Sequence, residues 1–316
     1  MTRHIVRQML TWKTLSNCGR LALIAALFGV TGLKAEADII DITPEYATRL
    51  PVDFLPQIQF AQNDHGFKRD ALYFHLLRPV TDAPTPVIVF VLGSGWQPVE
   101  VSRVLPQLVP LAEAGFAVAA VDYRGIGEVT FPTPQEDVKR AIRYIRAHAE
   151  TWNIDPEAIG ILGNSAGGHI SLLAGLSDET AFGAGGEGES AAVQAIAAIY
   201  PAIYPDEMAG DGLSLINQHF GLMAGDPANA DAVAPGLPET HVDAGDPPVL
   251  LIHGTADAIV PVTQSERFYE TLTDAGVDAT LLRVAGLGHS IEDTMTTLQI
   301  EQGLIDFFIR TLRTTD

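Results

Sequence analysis

Cysteine is all but missing from this 316-residue chain, and the single one, Cys18, lies close to the N-terminus in a stretch that reads as a leader. Without that stretch there is no disulfide and no thiol chemistry on which to build a function. Basic residues are also scarce, 19 Lys and Arg against 39 Asp and Glu, for a formal charge of −20. Setting aside residues 1–37 removes five basic residues and one acid, which makes the charge −24. A nucleic-acid partner requires a basic surface, so this balance argues against one, and it disfavours an anionic membrane. Neutral substrates are compatible with it, and its plainest physical role is solubility. No apolar run reaches the ~20 residues of a membrane-spanning helix. No H-E-x-x-H, cysteine pair or close His/Asp cluster suggests a metal, no Gly-x-x-x-x-Gly-Lys suggests a phosphate cradle, and no cofactor is implied.

What is present begins with a targeting pattern. Arg3, Arg7, Lys13 and Arg20 precede an apolar run over 21–33, and Ala35-Glu36-Ala37 follows as an A-x-A cleavage site. A signal peptide over 1–37 is expected, with the remaining chain secreted or periplasmic and no stable membrane insertion after cleavage. Residues 38–316 are long enough for one α/β domain with a substantial core. No repeat divides them, and nothing sets an oligomeric state.

Apolar stretches at 71–77, 87–92, 116–121, 159–162, 195–199, 249–252 and 279–284 predict strands, several of them continuous enough to be buried parallel ones. Helices are predicted between them. Thr133-Pro134-Gln135-Glu136 reads as a capping box with Pro at the first helical position, followed by the stripe Val138, Ala141, Ile142 and Ile145. Thr263-Gln264-Ser265-Glu266 opens another helix that buries Phe268, Leu272 and Ala275 and ends at Gly276. A last helix is expected over 292–312, and residues 39–62 read as a weakly patterned arm. This alternation predicts a doubly wound, mostly parallel sheet with helices on both faces, and sites at the carboxyl ends of its strands. Residues 201–248 break the rhythm, rich in Pro, Gly, Asp and Ala with one short helix near 213–223. They read as a small cap-like insertion or as a surface excursion without function.

The most informative element is Gly163-Asn164-Ser165-Ala166-Gly167, with an apolar run before it and a helix-compatible stretch, 166–176, after it. A serine on a sharp strand-to-helix turn is held out of the packed backbone, and the helix aims its N-terminal N–H groups at developing negative charge. A serine hydroxyl needs a base, and the base an orienting carboxylate. Asp257, at the end of Leu251-Ile252-His253-Gly254-Thr255-Ala256-Asp257, and His289, in Gly286-Leu287-Gly288-His289-Ser290, supply both in the order Ser, Asp, His. His253 is expected to brace the Asp257 loop, and His169 to pack or hydrogen-bond along the helix. Oxyanion donors are expected from the Ala166 N–H and from Leu92-Gly93-Ser94-Gly95-Trp96, with Gly93, Ser94 and Gly95 as candidates. Trp96 either walls an acyl pocket or covers the sheet end.

With these residues, the chain resembles the α/β-hydrolase superfamily over about residues 87–308. It is similar in particular to carboxylesterases and acetyl-xylan or feruloyl esterases related to the hormone-sensitive-lipase-like enzymes. Val121-Asp122-Tyr123-Arg124, Phe131-Pro132, Asn153-Ile154-Asp155-Pro156 and the stretch from Asp246 to Pro261 carry the likeness besides the serine motif. Where that family has His-Gly-Gly-Gly-Trp, this chain has Leu92 and Ser94 in place of the His and the middle Gly. The resemblance implies ester hydrolysis through an acyl-enzyme, with Ser165 as nucleophile, His289 as base, Asp257 as its orienting acid, and Ser94 and Ala166 N–H groups on the oxyanion. Small esters or acylated carbohydrates are the implied substrates. The alternatives are another acyl hydrolase on this fold (lipase, polyester hydrolase, arylformamidase or peptidase) or a catalytically silent binding protein.

Overall fold

The structure is a computed structural model, and it describes residues 49–62, 71–98, 100–183, 188–208, 210–222, 233–290, 293, 295 and 297–313. Eight strands form one sheet: β1 (Val52–Gln62), β2 (Ala71–Pro79), β3 (Thr85–Val91), β4 (Ala117–Val121), β5 (Ile154–Asn164), β6 (Ala195–Ile199), β7 (Val249–Gly254) and β8 (Ala279–Val284). Their order across the sheet is β1-β2-β4-β3-β5-β6-β7-β8. β2 runs antiparallel to both β1 and β4, and the remaining neighbours are parallel. This is the doubly wound, mostly parallel sheet the alternation predicts. Continuous apolar runs mark β3, β4 and β6 because both faces of these central strands are covered; every residue of β4 and β6 is buried.

Six helices longer than one turn are described: α1 (Leu105–Glu113), α2 (Thr133–Ala147), α3 (Ala166–Leu176), α4 (Gly210–His219), α5 (Thr263–Ala275) and α6 (Leu298–Leu312). Side chains alternate between the faces of a strand. Phe308 of α6 accordingly reaches Gly160 of β5 from one side, and Ser171 of α3 reaches Gly163 from the other. None of the described helices is long and apolar enough to cross a membrane. Leu50–Asp316 is one compact unit, and the chain's other unit is Met1–Arg49. Of the latter only Arg49 is described, so the expected leader over 1–37 lies outside the described residues.

Several expectations are corrected in detail. Much of the expected arm is β1, an edge strand whose register slips between Leu55 and Ile58 and again between Gln59 and Ala61. Pro56 and the left-handed Gln57 (φ 52°) sit in the first slip, and such bulges erase the period-2 pattern by which a strand is read. α1 was not anticipated, because Pro106 and Pro110 punctuate it, the latter inside the helix. The Thr133 capping box does not form. Pro132 is the N-cap, no side chain caps the helix, and the Pro132 carbonyl accepts from Gln135 and Glu136 N–H. α5 opens at Thr263 as expected, with the Thr263 hydroxyl donating to Glu207 at 2.8 Å. Gly276 does end α5, in the left-handed conformation (φ 86°), but Ala275 is only partly buried. α6 starts later than residue 292, since Thr297 is extended (ψ 112°). Residues 291, 292, 294 and 296 are outside the described set.

Candidate active site

β5 is central in the sheet, and Ser165 follows its last residue directly. Ser165 has φ 53° and ψ −125°, a conformation costly for a residue with a Cβ. It persists because the backbone on either side is pinned: its N–H donates to Ile199 O at 2.9 Å, and its carbonyl accepts from His169 N at 3.0 Å and Ala202 N at 3.3 Å. Gly167 is required by close approach, since a Cβ there would lie 2.2 Å from Val91 O. The turn thus lifts the Ser165 hydroxyl above the ends of β3, β5 and β6.

His289 and Asp257 come to it from the loops after β8 and β7. Ser165 Oγ lies 2.9 Å from His289 Nε2, and His289 Nδ1 lies 2.7 Å from Asp257 Oδ2. An ionised carboxylate only accepts, so Nδ1 carries the proton and Nε2 is left to accept from the serine hydroxyl. These residues are 124 and 32 positions apart in sequence. Asp293, another acid near His289 in sequence, donates its backbone N–H to Ser290 Oγ at 3.1 Å.

The Asp257 side chain is fully buried. Burial alone would raise its carboxyl, but hydrogen bonds from His253, His289 and the Val260 amide outweigh that and hold it far below the usual carboxylate range. Its Oδ1 accepts the N–H groups of Ile259 and Val260, each at 2.9 Å. His253 fills the bracing role expected of it. Its Nε2 donates to Val260 O at 2.9 Å and lies 3.5 Å from Asp257 Oδ2, while Ser265 Oγ bonds Nδ1 at 2.7 Å.

The oxyanion loop, residues 92–96, lies beside the serine turn. Gly93 cannot serve as a donor there, because its N–H is already given to Asn164 Oδ1 at 2.9 Å. Among the described residues, the N–H groups of Ser94, Gly95 and Ala166 have no such acceptor. The Ser94 hydroxyl is turned to Gln97 O. The position filled by His in the resembled family is Leu92, whose carbonyl accepts from the buried Tyr123 hydroxyl at 2.9 Å.

Asn164, Tyr123 and Tyr200 are the site residues to which sequence reasoning assigned no role. Asn164 Nδ2 donates to Tyr200 OH at 3.4 Å, and the Tyr200 ring lies 4.3 Å from the His289 ring. One buried amide therefore ties the oxyanion loop to the residue that packs on the base. Asn164 stands inside the serine motif itself, which was the available signal. Tyr123 stands in the Val121-Asp122-Tyr123-Arg124 stretch that carries the family likeness, and Tyr200 is brought in only by tertiary contact.

Trp96 is 1% exposed, its indole N–H donating to His169 Nδ1 at 3.3 Å. The ring is packed away, and the residue borders the cleft. His169 passes the link on through Nε2 to Gly236 O at 2.8 Å, and burial pushes it down to about 4, so it is neutral. Above the serine lies a cleft of about 570 Å³ bordered by Ser94, Gly95, Tyr200, Met208, Leu215 and Ile259 among others. Met208, Gly212 and Leu215 come from the 201–248 insertion, which so forms one wall. Among the described residues the cleft lining includes no Lys, Arg, Asp or Glu. No group of His, Cys, Asp or Glu among them could hold a metal ion.

This geometry can be set beside known proteins. Over 196 residues the chain is 33% identical to a probable carboxylic ester hydrolase, LipM, of Mycobacterium tuberculosis, covering 59% of this chain and 44% of LipM. The chain thus spans about half the length of the curated relatives it matches. A truncated carbohydrate esterase from gut microbiota superposes with a TM-score of 0.70 at 27% identity, covering 84% of this chain and 98% of that one. An acetyl ester-xyloside bifunctional hydrolase from Caldicellulosiruptor lactoaceticus gives 0.68 at 25% identity, covering 80% and 95%. The strand order, the serine turn and these superpositions are those of an α/β-hydrolase fold. Since residues 75–272, most of the sheet, match the BD-FAE family model, the chain belongs to the BD-FAE family.

Proposed function

We propose that this protein is a serine carboxylic-ester hydrolase working through an acyl-enzyme, with short acyl esters of carbohydrate as its substrate class. The observation that carries the reading is the Ser165–His289–Asp257 chain, at 2.9 and 2.7 Å, placed on a strained turn beside unclaimed N–H groups. Ser165 Oγ attacks the ester carbonyl carbon as its proton moves to His289 Nε2. The resulting oxyanion is met by the N–H groups of Ala166 and Ser94, with Gly95 adjacent. The tetrahedral species collapses and expels the alcohol, which takes the proton from His289. Water then repeats the sequence against the acyl-enzyme, releasing the acid and restoring the Ser165 hydroxyl. Throughout, Asp257 keeps the imidazole in the required tautomer and offsets the charge it gains.

The carbohydrate preference is supported by the names of the relatives, a carbohydrate esterase and an acetyl ester-xyloside hydrolase. It is also supported by a cleft lining without charged residues, which suits a neutral substrate. Export is supported by the basic, apolar and A-x-A succession at the N-terminus. The test compares p-nitrophenyl acetate, acetylated xylan and methyl ferulate with wild type and Ser165→Ala. Acetate release from xylan, abolished in the variant, is expected. Full activity of Ser165→Ala would overturn the mechanism, and a preference for long-chain p-nitrophenyl esters would overturn the carbohydrate assignment.

A further inference from the structure

The cap helix α4 turns one buried face toward the core. Ile216 and His219 are its buried residues, one turn apart on the same face. The His219 ring stacks on Trp96 at 5.1 Å between centroids and 14° between planes. It meets His169 edge-on at 5.6 Å, with Phe131 and Phe220 closing the cluster at 6.0 and 5.1 Å. Gln135 Nε2 lies 3.4 Å from its Nε2, and its backbone carbonyl accepts from Phe131 N–H at 2.7 Å. Trp96 directly follows the oxyanion loop glycine Gly95. One turn before His219 on α4, Leu215 sits on that same glycine: a Cβ at Gly95 would lie 2.7 Å from Leu215 Cδ1. The side chain that narrows the cleft and the one that anchors the helix therefore grip adjacent residues of the oxyanion loop.

We propose that His219 is a specificity-determining positioning residue: by stacking on Trp96 it fixes α4 in a register that holds Leu215 over Gly95, and Leu215 then limits the length of acyl chain admitted beside the oxyanion donors. The proposal rests on the esterase reading above for its catalytic consequence, but the anchoring of α4 stands apart from it. Neither the serine motif nor any acid-base group is involved. Leu215 touches the space where substrate lies, whereas His219 acts only through Leu215 and the loop.

The test uses the full-length protein and its Leu215→Ala, His219→Ala and His219→Phe variants, with p-nitrophenyl acetate and octanoate. A small apolar space discriminates by roughly tenfold or more per misfit. Leu215→Ala is therefore expected to raise the octanoate-to-acetate ratio of kcat/KM by about tenfold, and His219→Ala to raise it in the same direction. His219→Phe keeps a flat ring on Trp96 and should keep the wild-type ratio. Hydrogen exchange over residues 210–219 should quicken in His219→Ala and not in His219→Phe, a readout that requires no turnover. An unchanged ratio in Leu215→Ala refutes the gauge, and unchanged exchange in His219→Ala refutes the anchor. A His219→Phe ratio displaced as far as that of His219→Ala refutes stacking as the cause. Absence of ester turnover in wild type would instead defeat the functional reading, and the exchange measurement would still decide whether His219 keys the helix.

Discussion

Replacing Asn164 by alanine tests whether the oxyanion loop is held in place or merely lies nearby. Asn164 is 4% exposed, and its Oδ1 is the acceptor of the Gly93 N–H at 2.9 Å. Alanine leaves that part-buried donor without its partner, at a cost of up to roughly 1–3 kcal/mol. For a domain of this size each kcal/mol lowers Tm by about 2–4 °C, so a fall of about 2–12 °C is expected. The kinetic effect has a ceiling of its own, because complete loss of one oxyanion donor costs about 10²–10³ in rate. Tyr123 still holds Leu92 O from the other side, so the loop should loosen without collapsing. We expect kcat on p-nitrophenyl acetate to fall by about ten- to a hundredfold, within that ceiling. KM should hardly change, because the neutral carbonyl in the ground state makes little use of donors aimed at an oxyanion. Circular dichroism melts and initial-rate kinetics on the same preparation decide the matter. A lowered Tm with wild-type kcat would refute the reasoning and leave Asn164 as a stabiliser alone.

Four other outcomes are expected. Ser165→Gly should melt higher than Ser165→Ala while both lack turnover, since glycine relieves a backbone held at φ 53° that costs about 1–3 kcal/mol; equal melting temperatures would argue against strain at the turn. Asp257→Asn should lower kcat by about four orders of magnitude, as loss of the orienting acid does in comparable triads, and wild-type kcat in that variant would shift the role elsewhere. Tyr123→Phe removes one buried hydrogen bond to Leu92 O, so a loss of about 0.5–1.5 kcal/mol in a urea melt is expected. Burial first, and then Asp243, push the Asp246 carboxyl up to about 6 although the Asp243 amide bonds it. The folded state then binds that proton more tightly than the unfolded chain, so its contribution to stability is present near pH 4 and is lost as pH rises through 6. Asp246→Asn should therefore stabilise at pH 7 relative to pH 4, and a pH-independent difference between the two proteins would refute this.

The sequence was most legible where the chemistry is local. Gly163 to Gly167 lies within a single strand-turn-helix, and α3 spans the residues its apolar pattern marks, Ala166–Leu176. β6 and β8 also fall where their apolar runs end. Legibility failed where hydrogen bonds cross the fold. Gly93 reads like its neighbours in the oxyanion loop, and only an acceptor 71 residues away shows that its N–H is spent. Tyr123 holds the Leu92 carbonyl from 31 residues away, a relation no spacing rule contains. β1 was hidden for the opposite reason, since its own bulges scramble the pattern on which detection depends. Thr133, read as a helix cap, is displaced by one position, because the Pro132 carbonyl takes the N–H groups of the first turn. The insertion announced itself only as a break in rhythm, and its grip on the oxyanion loop belongs to tertiary structure.

The order of strands across the sheet has a consequence for how the molecule acquires its activity. The serine follows β5, the acid follows β7 and the base follows β8, the edge strand that is last in the chain and last in the sheet. Each parallel pairing requires a crossover to close before its contacts reward the lost chain entropy, so such sheets assemble slowly. An intermediate lacking only β8 would have most of the secondary structure and a formed serine turn, yet no base in reach. Recovery of ester hydrolysis during refolding should therefore trail the return of far-ultraviolet circular dichroism, and enzymatic activity serves this chain as a clock for the docking of its final strand.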